Sequence, residues 1–146
     1  MAAHGQLLLN LGHALPLPLG EVDLRSKDGE GKDAKGETTM QLFPAIDLRG
    51  GRVVRLTQGD YDRMTVYGED PCAQAREFLA AGAKNLHVVD LDGAKDGTLS
   101  NYDTIAALAK QGGLYIEVGG GIRTEERIEK YLSLGVGRCI LGSVAV

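Results

Sequence analysis

From Met40 onward, apolar and polar positions switch repeatedly between a strand period and a helix period, and that switching lays out the elements. Residues 41–48 and 52–56 are short apolar-rich runs joined by Gly50-Gly51, which predicts two strands across a tight turn. At Asp70-Pro71 the pattern changes. Asp70 suits an N-cap, Pro71 the first helical position, and Ala75, Phe78 and Leu79 form an i, i+3, i+4 stripe that stops at Gly82. Residues 86–91 read as the next strand. Residues 101–110 read as a helix with Ile105, Leu108 and Ala109 on one face, closed by Gly112 and Gly113. A strand over 114–118 then ends in Gly119-Gly120-Gly121. Thr124, Glu125 and Glu126 open a third helix marked by Ile128, Tyr131 and Leu132, and residues 138–141 form the last strand.

Counting the 41–48/52–56 pair as one, four strand segments separated by three helices predict an α/β fold with parallel pairing. A doubly wound sheet would place a glycine-rich turn after its first strand and an acid at the end of its second. Here the triple glycine follows the third strand of the series, and Asp47 ends the first. Polar groups at the C-terminal ends of successive strands suit a (β/α)8 barrel, of which four strands make half.

Residues 1–39 have a different character. The leucine-rich run over 7–19 is interrupted by Asn10, Gly12, His13, Pro16 and Pro18, so it predicts neither a membrane-spanning helix nor, lacking a basic flank, a signal peptide. Residues 23–39 are charged and nearly free of apolar side chains, which reads as disorder. The expected division is a disordered or non-native leader over 1–39 and a half-barrel over 40–146, with Met40 as the natural start. A net charge of −4 argues against nucleic acid as a partner. Cys72 and Cys139 belong to no metal-ligand cluster and no evident disulfide, so no metal is expected and a reducing cytoplasm suits the chain.

The strand ends carry the candidate chemistry. Alternation puts Phe43, Ala45 and Asp47 on one face of the first strand, with Asp47 at the mouth. On the second, Leu86, Val88, Asp90 and Asp92 share a face, making Asp90 and Asp92 substrate-side candidates, while His87 is expected to face the helices as a structural residue. Glu117 reads either as a site residue or as a buried partner for a neighbouring strand. Bare amides at the helix start after Gly120 and Gly121 would favour an anion, and Gly142-Ser143 after the last strand would add an amide and a hydroxyl to the same phosphate cradle.

The runs PAIDLRGGRVVRL, LHVVDLDGA, GGGIR and ILGS resemble, in order and spacing, the N-terminal half of the histidine-biosynthesis isomerase family, the phosphoribosylformimino-5-aminoimidazole carboxamide ribotide isomerases. The resemblance covers 40–146 and none of the leader. It implies a (β/α)8 barrel, an Amadori aldose-to-ketose rearrangement of a small substrate phosphorylated at both ends, and no cofactor. It also implies that Asp47 is the proton acceptor and that Gly120, Gly121, Arg123, Gly142 and Ser143 form one of two phosphate sites. The partner acid of that family ends a fifth strand, which is not in this sequence, so little turnover is expected of the chain alone. Open strand edges and an uncovered inner face make self-association of half-barrels the expected escape, with aggregation its equal alternative. The sister cyclase barrel is disfavoured, because its first strand carries a Cys-Leu-Asp pattern where this chain has Ala45-Ile46-Asp47. A dual-substrate isomerase of histidine and tryptophan synthesis and a non-catalytic phosphate-binding module are the alternatives.

Overall fold

The computed structural model describes residues 31–32 and 38–145. Within the leader, β1 (Gly31–Lys32) and β2 (Thr38–Thr39) pair as a short antiparallel ribbon. The rest of the expected disordered leader, 1–30 and 33–37, lies outside the described residues, as do Val146 and the side chain of Ser143.

The remaining strands form one sheet in the order β5-β4-β3-β6-β7-β8. Its parallel part is the expected series: β3 (Ala45–Arg49), β6 (Asn85–Asp90), β7 (Tyr115–Gly119) and β8 (Arg138–Cys139). The strand expected over 52–56 is β4 (Arg52–Thr57), antiparallel to β3, and the structure adds β5 (Asp60–Gly68) beyond it as a second antiparallel strand. Both connections among these antiparallel strands are two-residue turns with positive φ at each position, 57° and 76° at Gly50-Gly51 and 55° and 77° at Gln58-Gly59, the twist that antiparallel neighbours require. Helices α1 (Pro71–Ala80), α3 (Tyr102–Gln111) and α4 (Glu125–Ser133) alternate with the parallel strands. Asp70 caps α1, its carboxylate accepting from the Cys72 amide, and Thr124 caps α4 by accepting from the Arg127 amide.

Two elements depart from the expected four strands and three helices. β5 carries all its charges in its first four residues and buries no side chain, so periodicity passes over it; pairing with β4 is what makes it a strand. The short helix α2 (Leu91–Asp96) contains a glycine and is too brief to show a period. It forms because Asp90 caps it and Gly97, at φ 74°, closes it.

Burial separates the two faces of the parallel sheet. Ile46, Leu48, Leu86, Val88, Ile116 and Val118 are buried against Ala75, Ile105, Leu108 and Tyr131 of the helices, forming the core. The opposite face is more open: Ala45, Asp47, His87 and Val89 are partly exposed. Among the described residues no helix is long and apolar enough to cross a membrane.

Candidate functional site

Asp47 lies on the open face near the C-terminal end of β3, opposite Val89 of β6 and Val54 of β4. Partial burial raises its carboxyl above the ordinary carboxylate range, and His87, whenever it is protonated, and Arg55 pull it back part of the way. A carboxylate held at a strand end with increased proton affinity is suited to taking up a proton.

The acids of β6 and α2 serve a different end. Strand alternation turns Asp90 to the helix side, where it is fully buried; its Oδ1 accepts from the Gly93 amide at 2.9 Å and from Asn101 Nδ2 at 2.7 Å. Asp90 Oδ2 has no hydrogen-bond partner, and the buried Tyr131 phenol is near enough to feel the charge of the carboxylate. Burial, followed by the charge of Asp90, pushes the Tyr131 hydroxyl up to about 12, so it remains a protonated neighbour to the carboxylate. Asp92 is already in α2. Its Oδ2 accepts from the Gly50 amide at 2.8 Å and from Asn101 Nδ2 at 2.9 Å, while Asn101 Oδ1 accepts from the Gly51 amide at 2.8 Å. Asp90 and Asp92 therefore anchor the turn that follows Asp47, and neither shares its face as the sequence pattern suggested. Asn101, the hub of this cluster, was read only as a helix start. Removing Asp90 would strand the Gly93 N–H and one N–H of the buried Asn101 amide, which keeps its bond to Asp92. Asp90→Ala is expected to lower unfolding free energy by about 3 kcal/mol in urea titrations, against almost nothing for the exposed Asp96→Ala.

His87 is the other relocation. It pairs with Ala45 and Glu117 across the parallel ladder, so it lies on the face of Asp47 and not among the helices. The sequence reading put the apolar residues of β6 inside a barrel, whereas the helices cover the face those residues occupy.

The triple glycine closes the site end of β7. Gly120 and Gly121 have φ of 108° and 68°, and a side chain at either would run into backbone, that of Asp90 and of Gly93 respectively. Their lack of side chains is thus demanded by the close approach of the β7–α4 loop to the β6–α2 junction. Arg127 ties this junction together, donating from Nη1 to Gly121 O at 2.9 Å and from Nη2 to Gly97 O. Arg123 is exposed beside Gly97. Gly142 follows the adjacent strand β8, opening a 3-10 turn over Ser143–Ala145 with the Ala145 amide bonded to its carbonyl. The glycine loops of β7 and β8 are therefore neighbours at the same end of the sheet as Asp47. Among the described residues no group of His, Cys, Asp and Glu could hold a metal ion.

Residues 41–146 match the family described as "Histidine biosynthesis protein". Curated relatives carry the name 1-(5-phosphoribosyl)-5-((5-phosphoribosylamino)methylideneamino) imidazole-4-carboxamide isomerase. The protein of Desulfitobacterium hafniense is 58% identical over 107 residues, 73% of this chain and 43% of that one. The protein of Rhizorhabdus wittichii is 54% identical over 105 residues, 72% and 43% of the two chains. That of Geobacillus kaustophilus is 52% identical over 105 residues, again 72% and 43%. The chain thus spans less than half the length of the curated relatives it matches.

Proposed function

The chain belongs to the histidine biosynthesis protein family, a family of (β/α)8 barrels, and on that premise we propose that it forms the N-terminal half of an isomerase converting a phosphoribosyl aminoaldose into the aminoketose. The observation that carries the reading is Asp47, a carboxyl of raised proton affinity on the open face of the first barrel strand. In an Amadori rearrangement an acid protonates the ring oxygen, the sugar opens, and a base takes the C2 proton to give an enaminol that becomes the ketone. Asp47 is the base. The acid would stand across the barrel on a strand that this sequence does not contain, so the chain alone should show little turnover.

Gly120, Gly121 and Arg123 after β7, with Gly142 and Ser143 after β8, are the proposed grip on one phosphate of a doubly phosphorylated substrate. The α4 N-terminus supports this, since the helix dipole favours an anion at that end. Self-association through the open face and a cytoplasmic setting belong to the same reading.

The test joins residues 40–146 to the C-terminal half of the Desulfitobacterium hafniense relative and assays the full barrel for aminoaldose-to-aminoketose conversion. Turnover supports the assignment; phosphate-ester binding without turnover would leave a non-catalytic phosphate-binding module. In that barrel Arg123→Ala is expected to weaken binding of inorganic phosphate about tenfold with an unchanged melting temperature, because the side chain is exposed and a charge-assisted bond is lost. An unchanged affinity would remove Arg123 from the cradle.

A further inference from the structure

The open face holds a second ionisable cluster that the reaction as described leaves unused. His87, Glu117 and Arg138 form one row across β6, β7 and β8, a single pleat step from the row of Asp47. Glu117 Oε1 is 2.8 Å from His87 Nδ1, and Oε2 accepts from Arg138 Nη1 at 3.2 Å. Glu117 is the most buried of the three, its side chain 12% exposed against 22% for His87 and 39% for Arg138. Arg138 is steadied in turn over the Tyr115 ring, 5.8 Å from its centroid, and the Tyr115 hydroxyl donates to Gly137 O. With both oxygens engaged, the Glu117 carboxylate cannot rotate without losing a bond.

We propose that Glu117 is a positioning residue of the isomerase site, holding His87 in the tautomer protonated on Nδ1 so that Nε2 accepts a hydrogen bond from the substrate hydroxyl that becomes the ketone oxygen. The proposal rests on Asp47 being the base. A carboxylate only accepts, so the ring nitrogen facing it carries the proton. Nε2 has no partner among the described residues and is left for a ligand. That acceptor has a defined task. As the enaminol becomes the ketone, the O–H bond breaks while C=O forms. The C=C pair takes the proton held by Asp47 onto the neighbouring carbon, and Nε2 receives the hydroxyl proton. Solvent returns that proton to the carboxylic acid that protonated the ring oxygen, so none is gained or lost over the cycle.

Glu117→Gln tests this with almost no change of shape. Arg138 has only donors, so the amide oxygen must turn to it and the NH2 must face His87 Nδ1. The ring proton then moves to Nε2, and the acceptor becomes a donor. We would label the chain with 15N-histidine, assign His87 among its three histidines with His87→Asn, and read the tautomer from the ring nitrogen shifts. The expected result is Nδ1–H in the unaltered chain and in Glu117→Asp, and Nε2–H in Glu117→Gln. In the joined full-length barrel, Glu117→Gln should lower kcat about 10²-fold with KM little changed, and Glu117→Asp should restore most of it. An unaltered chain protonated on Nε2, or a tautomer indifferent to Glu117→Gln, overturns the proposal. So does a reversed tautomer with undiminished kcat, which leaves Asp47 as the base untouched. An unaltered barrel without isomerase activity overturns the isomerase reading and this role together, whatever the tautomer.

Discussion

Asp47→Asn in the joined full-length barrel is expected to lower kcat by about 10²- to 10⁴-fold, because the asparagine amide has no lone pair basic enough to take a carbon-bound proton. The substitution is nearly isosteric, so KM for the substrate should move little, and steady-state kinetics separate the two. The same change should stabilise the fold. Burial disfavours the ionised carboxylate, so the folded-state pKa lies above the unfolded one. Below the unfolded value both states are protonated and the residue costs nothing. As pH rises through the unfolded and then the raised folded value, the charged form becomes a growing burden on the folded state. Thermal melts should therefore show Asp47→Asn above the unaltered chain at neutral pH, with the gap closing in acid. Full activity in the variant would remove Asp47 as the base; a lower melting temperature at neutral pH would show that its carboxylate makes contacts that outweigh the burial.

Gly121→Val is expected to abolish cooperative folding, a loss of at least about 4 kcal/mol. Its Cβ would overlap the Gly93 carbonyl, and at φ 68° the residue already occupies the left-handed region. Relief would require separating the β7–α4 loop from the β6–α2 junction, breaking the Arg127 bonds to Gly121 and Gly97 as well. Gly135→Ala provides the control: φ is 92°, yet a Cβ there meets nothing within 4 Å, so only the strain of about 1–2 kcal/mol applies. Far-ultraviolet circular dichroism through a urea titration distinguishes the two. A cooperative transition for Gly121→Val near that of Gly135→Ala would mean that the loop can move aside. The clash also makes a bulky residue at Gly120 or Gly121 a poor probe of phosphate binding, since folding would fail first.

The parallel strands and the three longer helices were legible because each has one buried face, and a single apolar stripe is all that periodicity detects. Caps were equally plain: Asp70-Pro71 and Thr124 do in the structure what their chemistry suggests. β5 was not legible, because its order comes from the strand beside it. The error at β6 is more instructive. Leu86, Val88 and Asp90 do share a face, as alternation requires, but alternation does not say which layer covers that face. Assigning it to the barrel interior put Asp90 on the substrate side and His87 among the helices; the structure places Asp90 under the helix layer and His87 on the open face. Asp47 escaped the same error because Ile46 and Leu48 claim the helix side of β3 outright.

The order of the sheet also bears on how the chain acquires its shape during synthesis. β4 pairs with β3, β5 with β4, β7 with β6 and β8 with β7, so nearly every strand meets its immediate predecessor in the chain. Only β3–β6 reaches further, over the hairpin and α1. Among the described residues, the pairings of this sheet run no further than Cys139. On a ribosome delivering about 5–20 residues per second, the layer that anchors Asp47 can therefore assemble strand by strand in the order of emergence. The open face that carries Asp47 is then laid down in the order in which its strands emerge, each added to a layer already in place.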